Sequence, residues 1–181
     1  MINHEAHMQR GVLNSAATAQ IRPVAIMTYQ AKLKLPCAVV GIRIVADKLA
    51  GIDFLPLSTR ALAPSNALAS EVCAQIMAYV NDPDFRFAVP LLLTGSAHQM
   101  KVWQAITEIP CGEARTYGAI AQQLGSSPRA VGRACGDNPI PLIIPCHRVV
   151  AKTGVGGFMH HANGAPLAIK DWLLQHEGWR R

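Results

Sequence analysis

The first part of the chain has the apolar pattern of β-strands. Residues 39–45 are rich in β-branched side chains, and residues 50–55 alternate apolar with small or polar positions. Ala46-Asp47-Lys48 between them is typical of a turn, and Pro56 ends the second run. The pattern predicts two antiparallel strands joined in a hairpin.

A helix is predicted after Pro64, because apolar residues recur there at every fourth position. These residues are Leu68, Val72, Ile76 and Val80. Ser65 is the candidate N-cap, and the polar segment 81–84, which contains a proline, stops the helix. Residues 85–93 are predicted to be extended and to lead into a domain boundary at Thr94-Gly95.

Beyond residue 94 the hydrophobic period becomes helical. Ser96 and Gln99 have the spacing of a capping box, in which each side chain bonds the backbone amide of the other residue. The helix that they begin is predicted to end before Pro110. Its predicted buried stripe consists of Met100, Trp103 and Ile106.

Two shorter helices are predicted next, separated by a tight turn at Gly125-Ser126. The first covers residues 116–124, and its predicted inward residues are Ile120, Ala121 and Leu124. The second is capped by Ser127, with Pro128 at its first position, where the missing amide donor costs little. Gly136 closes this second helix.

Two short helices joined by a glycine-containing turn have the plan of a helix-turn-helix. The second helix combines small residues, which let another backbone approach closely, with two arginines. The small residues are Ala130, Gly132 and Ala134, and the arginines are Arg129 and Arg133. Most such helical hairpins are packing units, so both a DNA-reading helix and a packing pair stay open.

Composition narrows the class of protein. Half of the 181 residues are hydrophobic and 15% are charged, which is typical of a folded chain and not of a disordered one. The net charge is +6, and residues 115–152 hold five Lys or Arg against one acid, Asp137. Such an excess favours a polyanion such as DNA or RNA, although a solvated face is the commoner source of modest positive charge.

The five cysteines are widely spaced and contain no C-x-x-C pair. They are Cys37, Cys73, Cys111, Cys135 and Cys146. This spacing argues against a disulfide framework or a zinc ribbon and favours a reducing, intracellular setting. Residues 1–20 are polar, so we expect a mobile N-terminus, without signal peptide or membrane anchor, on a cytoplasmic protein that makes no membrane contact.

A thiol and an imidazole stand side by side at Cys146-His147, in an otherwise apolar run. A nucleophilic cysteine reacts as its thiolate, which a nearby base or cation supplies, and the other four cysteines have no ionisable base beside them. The preceding segment 138–145 contains three prolines and is predicted to be a stiff, extended connector. Such dipeptides also arise by chance, so the neighbouring motifs decide what the pair means.

Four ordered motifs together resemble the O6-alkylguanine-DNA alkyltransferases, also called methylated-DNA–protein cysteine methyltransferases. They are Arg129-Ala-Val-Gly, Asn138-Pro-Ile-Pro, Ile144-Pro-Cys-His-Arg-Val-Val and Leu167-Ala-Ile-Lys-Asp-Trp-Leu-Leu-Gln-His-Glu177-Gly. The resemblance is close over residues 95–178. We expect an α+β protein, with a small N-terminal α/β domain on a short antiparallel sheet over residues 21–94. A mostly helical C-terminal domain over 95–181 would contain the helix-turn-helix.

The resemblance implies that Cys146 accepts a methyl or small alkyl group from O6 of guanine in DNA, once per molecule and without a cofactor. O4 of thymine is a further candidate donor. His147 would take the thiol proton through a water, and Glu177 would hold His147 in the right tautomer. Tyr117 would donate its hydroxyl to the leaving base, and Asn138 corresponds to the hinge asparagine before the cysteine loop. Arg148 is expected to pair structurally with an acid or a carbonyl.

By the same resemblance, the partner is double-stranded DNA carrying O6-alkylguanine, bound by a monomer. Arg129 would fill the gap left by the flipped nucleotide and so offset the cost of unstacking. The other expected DNA contacts are Tyr117, Ser127, Ala130, Gly132 and Arg133. Contacts would be mostly to the DNA backbone, so binding should weaken with salt and show little sequence preference.

The loop after the cysteine is expected to cover the flipped base. Its expected substrate-facing residues are Val149, Gly156, Gly157, Phe158 and Met159. The stretch 159–166 is longer than the family's common pattern and unlike it. His160-His161 raises the option of a metal site, but two adjacent histidines without further ligands favour a polar loop tip, so no metal is predicted.

Two other functions stay open from the sequence. An alkyltransferase-like lesion-binding protein would flip the base without repairing it, but such proteins lack the active cysteine that Cys146 supplies. A Cys–His hydrolase of the protease or amidase type is the other candidate. The basic helix-turn-helix and the lack of an evident oxyanion-hole motif count against it.

Overall fold

The structure is a computed structural model that describes residues 28–180. The predicted mobile segment 1–20 lies outside the described residues. Within this range the chain is a mixed α/β protein with a small antiparallel sheet and five α-helices, which confirms the predicted α+β class at this level.

The sheet has three antiparallel strands in the order β1 (Ala31–Lys34), β2 (Val39–Val45) and β3 (Lys48–Leu55). The predicted hairpin between β2 and β3 is confirmed, with a two-residue turn at Ala46-Asp47. Both turn residues have positive φ, 48° and 53°. This backbone matches the right-handed twist of paired strands, and aspartate tolerates it better than most residues.

Helix α1 (Ala67–Asn81) lies against the sheet and confirms the predicted helix. The predicted cap was wrong by one residue, because Asn66 and not Ser65 is the N-cap. The extended backbone of Asn66 lets its Oδ1 accept a hydrogen bond from Ala69 N at 2.8 Å. Tyr79, near the end of this helix, is buried although it lies outside the predicted stripe.

Helix α2 (Ala97–Thr107) begins with the predicted capping box between Ser96 and Gln99. Its buried face was predicted only in part, because Met100 is exposed. The buried residues are Val102, Trp103, Ala105 and Ile106. At 3.6 residues per turn, Val102 and Ile106 lie to one side of Trp103 around the helix, and Met100 lies to the other. The buried face is centred on Val102 and Ile106, so Met100 points to solvent.

Helices α3 (Tyr117–Gln123) and α4 (Pro128–Gly136) pack against each other across a turn that contains Gly125 with φ of 60°. Ser127 accepts a hydrogen bond from Ala130 N, as its predicted capping role requires. A two-residue parallel pair joins β4 (Arg115–Thr116) to β5 (Val149–Val150). Helix α5 (Ala165–His176) follows.

The connector 138–145 is not extended, so that prediction was wrong. It turns at residues 141–143, where Leu142 has a positive φ of 77°. The Asn138 side chain closes this turn from within, because its Nδ2 donates to Ile144 O at 2.8 Å and its Oδ1 accepts from Ile140 N at 3.1 Å. Prolines exclude a helix but not a turn, and the turn buries the side chains of Ile140, Leu142 and Ile144.

The sheet and the connector meet in one hydrophobic core. Ile52 N of β3 donates to Pro139 O at 2.9 Å, and the ring centroid of Phe54 lies 5.9 Å from that of Phe158. The sheet therefore supports the segments on either side of Cys146. In the described part of the chain, none of the helices combines the length and the apolar character needed to cross a bilayer.

Candidate active site

Cys146 begins a 3₁₀ turn (Cys146–Arg148) and is 3% exposed. It lies at a cavity of about 490 Å³ between α4 and the loop that follows β5. The cavity is lined by Tyr117, Pro128, Arg129, Gly132, Cys135, Gly136, Cys146, Gly157, Phe158, Met159, His160, His161 and Ala162. Sequence-predicted residues from four separate segments are thus brought around one sulfur atom.

The other sequence-predicted residues lie outside the lining of this cavity. Val149 is fully buried in β5, and Gly156 lies against the Tyr117 ring, where a Cβ would come within 2.9 Å of it. Asn138 contacts the connector and not the cavity, through its hydrogen bonds to Ile140 N and Ile144 O. Ser127, Ala130 and Arg133 lie on or before α4 at partly or fully exposed positions.

His147 is completely buried and contacts Glu177, the pairing that the family resemblance implied. Its Nε2 lies 2.9 Å from Glu177 Oε1. Arg148 grips the same carboxylate, with Nε 2.8 Å from Oε2 and Nη2 2.9 Å from Oε1, and it also donates to the carbonyl of Ile109. The expected structural pairing of Arg148, with an acid and with a carbonyl, is therefore confirmed.

These contacts fix the proton on the imidazole. Burial alone would raise the pKa of Glu177, but hydrogen bonds from His147 and Arg148 outweigh it and lower the pKa to about 2. An ionised carboxylate only accepts hydrogen bonds, so Nε2 of His147 carries the hydrogen. Nδ1 is left with a free lone pair, and it is buried without a hydrogen-bond partner among the described residues.

The thiol is neutral at rest. Burial raises the pKa of Cys146, opposed by the Asn138 amide and the charge of Lys170, and burial lowers the pKa of His147. Adjacency to His147 therefore does not by itself supply a thiolate. A thiol held in this form is a poor target for stray electrophiles.

Tyr117 begins α3 and contributes its ring to the cavity wall. Its hydroxyl donates to Gly157 O at 3.1 Å, and burial raises the pKa of Tyr117, so the group remains a hydrogen-bond donor. Gly156, with φ of 71°, lets the loop backbone approach this ring closely. The tyrosine and the loop thus form a single wall of the cavity.

Lys170 is a candidate functional residue that the sequence reasoning missed. It is fully buried, and its Nζ donates to Val149 O at 2.6 Å and to Gly157 O at 2.9 Å. Burial lowers its pKa to about 8. The available signal was a lysine adjoining Ile169 on the apolar face of α5, where a charge is costly unless it is paired.

Helix α4 packs one face into the core and exposes its two arginines on the other. Trp103 Nε1 donates to Ala134 O at 2.8 Å, and Val131, Ala134 and Cys135 are buried. Arg129 and Arg133 are exposed, and Arg129 lies at the cavity. This amphipathic helix therefore places positive charge beside Cys146.

The loop tip turns tightly at Met159-His160, where both residues have positive φ. On either side of the turn, the backbone amides of Phe158 and His161 each donate to the carbonyl of the other residue. The His160 imidazole lies over Gly136 and its Nε2 is 2.8 Å from Asp137 Oδ1. Both histidines are exposed, as a polar loop tip requires. Within residues 28–180 no three His, Cys, Asp or Glu side chains are grouped to hold a metal ion.

Comparison with known proteins gives consistent results. The family described as 6-O-methylguanine DNA methyltransferase, DNA binding domain, matches residues 97–179. A methylated-DNA–protein-cysteine methyltransferase of Methanosarcina acetivorans is 44% identical over 110 residues, which are 60% of this chain and 68% of that protein. The Mycobacterium leprae protein of the same name is 45% identical over 93 residues, 50% of this chain and 56% of its own length.

Solved structures extend the likeness to most of the fold. Mycobacterium tuberculosis OGT in complex with DNA superposes with a TM-score of 0.67 at 33% identity, over 81% of this chain and 90% of that one. Among the curated relatives the matched length is smaller. The chain spans about half the length of several of them, 56% for the Mycobacterium leprae protein and 48% for the Salmonella typhimurium protein.

Proposed function

Since this chain belongs to the methylated-DNA–protein-cysteine methyltransferase family, we propose that it repairs DNA by accepting a methyl or small alkyl group from O6 of guanine on Cys146. O4 of thymine is a further candidate donor. One observation carries the proposal. Cys146 lies at a cavity of about 490 Å³, and the imidazole beside it is backed by a buried, ionised carboxylate.

The residues of this chain, together with one water, supply every group that the transfer needs. The Cys146 thiol gives its proton to His147 Nδ1 through one water, and a sulfur lone pair forms the new S–C bond. The C–O6 bond breaks, and its electron pair leaves with the guanine as an anion, to which the Tyr117 hydroxyl donates once its hydrogen has turned away from Gly157 O. The charge that builds on His147 is met by Glu177.

A neutral thiol and a neutral imidazole suit a protein that reacts once. The thioether on Cys146 has no easy leaving group, so transfer needs no cofactor and ends the reactive life of the molecule. Because the pKa of Cys146 is raised and that of His147 is lowered, the thiolate–imidazolium pair is rare until a nucleobase fills the cavity.

The proposed partner is double-stranded DNA, bound by a monomer through α3 and α4 as a helix-turn-helix. Arg129 would enter the stack in place of the flipped nucleotide, which its exposed position beside the cavity supports. The further proposed contacts are Tyr117, Ser127, Ala130, Gly132 and Arg133. The likeness to a relative solved with DNA also supports this interface.

The proposed base-covering loop and catalytic set follow the sequence expectation. Gly157, Phe158 and Met159 would face the flipped base, with Val149 and Gly156 shaping the backbone behind them. Asn138 would act as the hinge that fixes the cysteine loop, which its two bonds across the connector support.

We also infer two domains, over residues 21–94 and 95–181, in a cytoplasmic protein. The change of hydrophobic period at residue 94 supports the division. Five dispersed cysteines, which are free where the structure describes them, suit a reducing compartment.

The test is intact-mass analysis after incubation with a duplex carrying O6-methylguanine. The expected result is a mass gain of one methyl in place of the thiol hydrogen, mapped to Cys146 and equal in amount to the lesion consumed. Cys146→Ser should abolish the gain, while the matched change Cys73→Ser on α1 should leave it intact.

Absence of transfer to Cys146 would refute the proposal. Tight lesion binding without alkylation would instead select the lesion-binding alternative, which the presence of Cys146 at the cavity and the names of the relatives do not favour. Repeating the experiment with ethyl and benzyl lesions would define the range of adducts accepted.

A further inference from the structure

Tyr79 connects the first helix of the chain to the carboxylate behind His147. It lies on α1, is 2% exposed, and its hydroxyl donates to Glu177 Oε1 at 2.8 Å across 98 residues of sequence. Its ring packs against Phe87 and His176, with centroids 5.6 Å and 5.2 Å away. His176 Nε2 in turn donates to the Tyr79 carbonyl at 2.9 Å. The side chain is therefore held on both sides and aimed at the carboxylate.

The oxygen that Tyr79 bonds is the one that bonds His147. Glu177 Oε1 receives three donors, from Tyr79, His147 and Arg148, while Oε2 receives Arg148 alone. A carboxylate oxygen has about two lone-pair directions, so three donors must share its charge. The tyrosine therefore competes directly with the imidazole for Oε1.

We propose that Tyr79 is a positioning residue of the alkyl-transfer site, which sets through Glu177 Oε1 how strongly His147 holds a proton. This inference rests on the proposed function for its catalytic meaning. With the hydroxyl in place, part of the negative charge of Oε1 is neutralised, whereas the two bonds from Arg148 keep the carboxylate in position whether or not the hydroxyl is present. Without it, Oε1 attracts the imidazolium more strongly, so His147 is protonated at higher pH.

A simple packing role would need no such placement, because any backbone carbonyl satisfies a buried tyrosine hydroxyl. Here the partner is an ionised group at the heart of the site, and hydrogen bonds to charged groups are stronger than neutral ones. The proposal also gives the N-terminal part of the chain a role in the reaction, since α1 supplies the tyrosine.

Other charged or titratable groups face this pair from the surrounding elements and must be held constant. They are Arg148 and Cys146 on the 3₁₀ turn, Cys111 and Asp84 on loops, and Lys170 and His176 on α5. Tyr79→Phe changes none of them and keeps the ring, so the shape of the core is preserved. A pH-dependent difference between this variant and the wild type is then attributable to the hydroxyl.

The experiment measures the single-turnover alkylation rate of Cys146 from pH 5 to 9, and the pKa of His147 by nitrogen-15 NMR, in wild type and Tyr79→Phe. The expected result is an upward shift of the acid limb by about half a pH unit or more, with the same shift in the NMR titration. The matched control is Tyr29→Phe, because the Tyr29 hydroxyl lies beside a different carboxylate, that of Asp53 on the sheet. This control should leave both curves unchanged.

Thermal unfolding of each variant separates an effect on stability from an effect on the pKa of His147. A lower melting temperature with unshifted rate and NMR curves would overturn the proposal, because it would leave Tyr79 with packing alone. If Tyr79→Phe is too unstable at the titration temperature, the NMR titrations of both proteins are repeated at a lower temperature, where the same upward shift of the pKa of His147 is expected.

The NMR readout does not need alkyl transfer, so the two proposals fail separately. No alkylation by the wild-type protein would refute the proposed function, whereas an unchanged pKa of His147 in the variant would refute the role of Tyr79. In a Glu177→Gln background, replacing Tyr79 should have no further effect on His147, because the group through which it acts is gone.

Discussion

Replacing Glu177 by glutamine removes the charge on which three donors converge, and its effect on stability should depend on pH. The side chain of Glu177 is 1% exposed and that of Arg148 is 13% exposed, so solvent screens their ion pair weakly. In Glu177→Gln the Arg148 guanidinium keeps its charge but loses its counter-ion. Removing one partner of a buried pair costs about 3–5 kcal/mol.

The pKa of Glu177 gives an independent magnitude. It falls from the ordinary value of 4.5 to about 2 in the folded protein. At 1.36 kcal/mol per unit, this shift corresponds to about 3 kcal/mol of stability. Because the folded-state pKa is depressed, the contribution is complete above the unfolded-state pKa and is lost as the pH falls from about 4.5 through about 2.

Urea unfolding at several pH values between 7 and 3 measures this difference. At pH 7 the variant should be less stable than the wild type by about 3 kcal/mol, and at pH 3 the gap should shrink by about 2 kcal/mol. Glu113→Gln, at an exposed position of the same residue type, is the matched control and should show no gap at either pH. An equal gap at pH 7 and pH 3 would refute the reasoning, because a loss independent of protonation cannot come from the charge.

Three further outcomes are expected. Lys170→Met removes bonds to two backbone carbonyls, Val149 O in β5 and Gly157 O in the loop, and should slow alkylation of Cys146 by about tenfold or more while the protein stays folded, as single-turnover rates and circular dichroism would show. Gly136→Ala would place a Cβ 2.5 Å from the ring of His160, whose exposed side chain can move aside, so the melting temperature should change little while the NMR signals of the His160 ring shift; unshifted signals would contradict the contact. Arg133→Ala should weaken DNA binding and reduce its dependence on salt by about one phosphate contact, measured by titration at several salt concentrations, and an unchanged slope would count against the proposed interface.

Much of the local structure could be predicted from neighbouring residues. The Ser96–Gln99 capping box, the Ser127-Pro128 helix start and the hairpin at Ala46-Asp47 all depend on bonds within four residues, and all are present. The Asn66 cap shows the usual error of one residue. The connector at 138–145 could not be predicted, because its turn depends on burying apolar side chains against other parts of the chain.

The sequence by itself indicated Cys146 as the candidate nucleophile, with His147 beside it, and carried the family resemblance, because these lie in contiguous motifs. It also indicated Glu177, but only through the resemblance. Tertiary structure alone decided that the thiol and the imidazole are both neutral at rest, since burial sets their pKa values. It also brought Tyr79 and Lys170 to the site from distant helices, where each satisfies a bond that no sequence spacing encodes. Local hydrogen bonds can be read from the order of residues, whereas burial and long-range charge contacts exist only once the chain has packed.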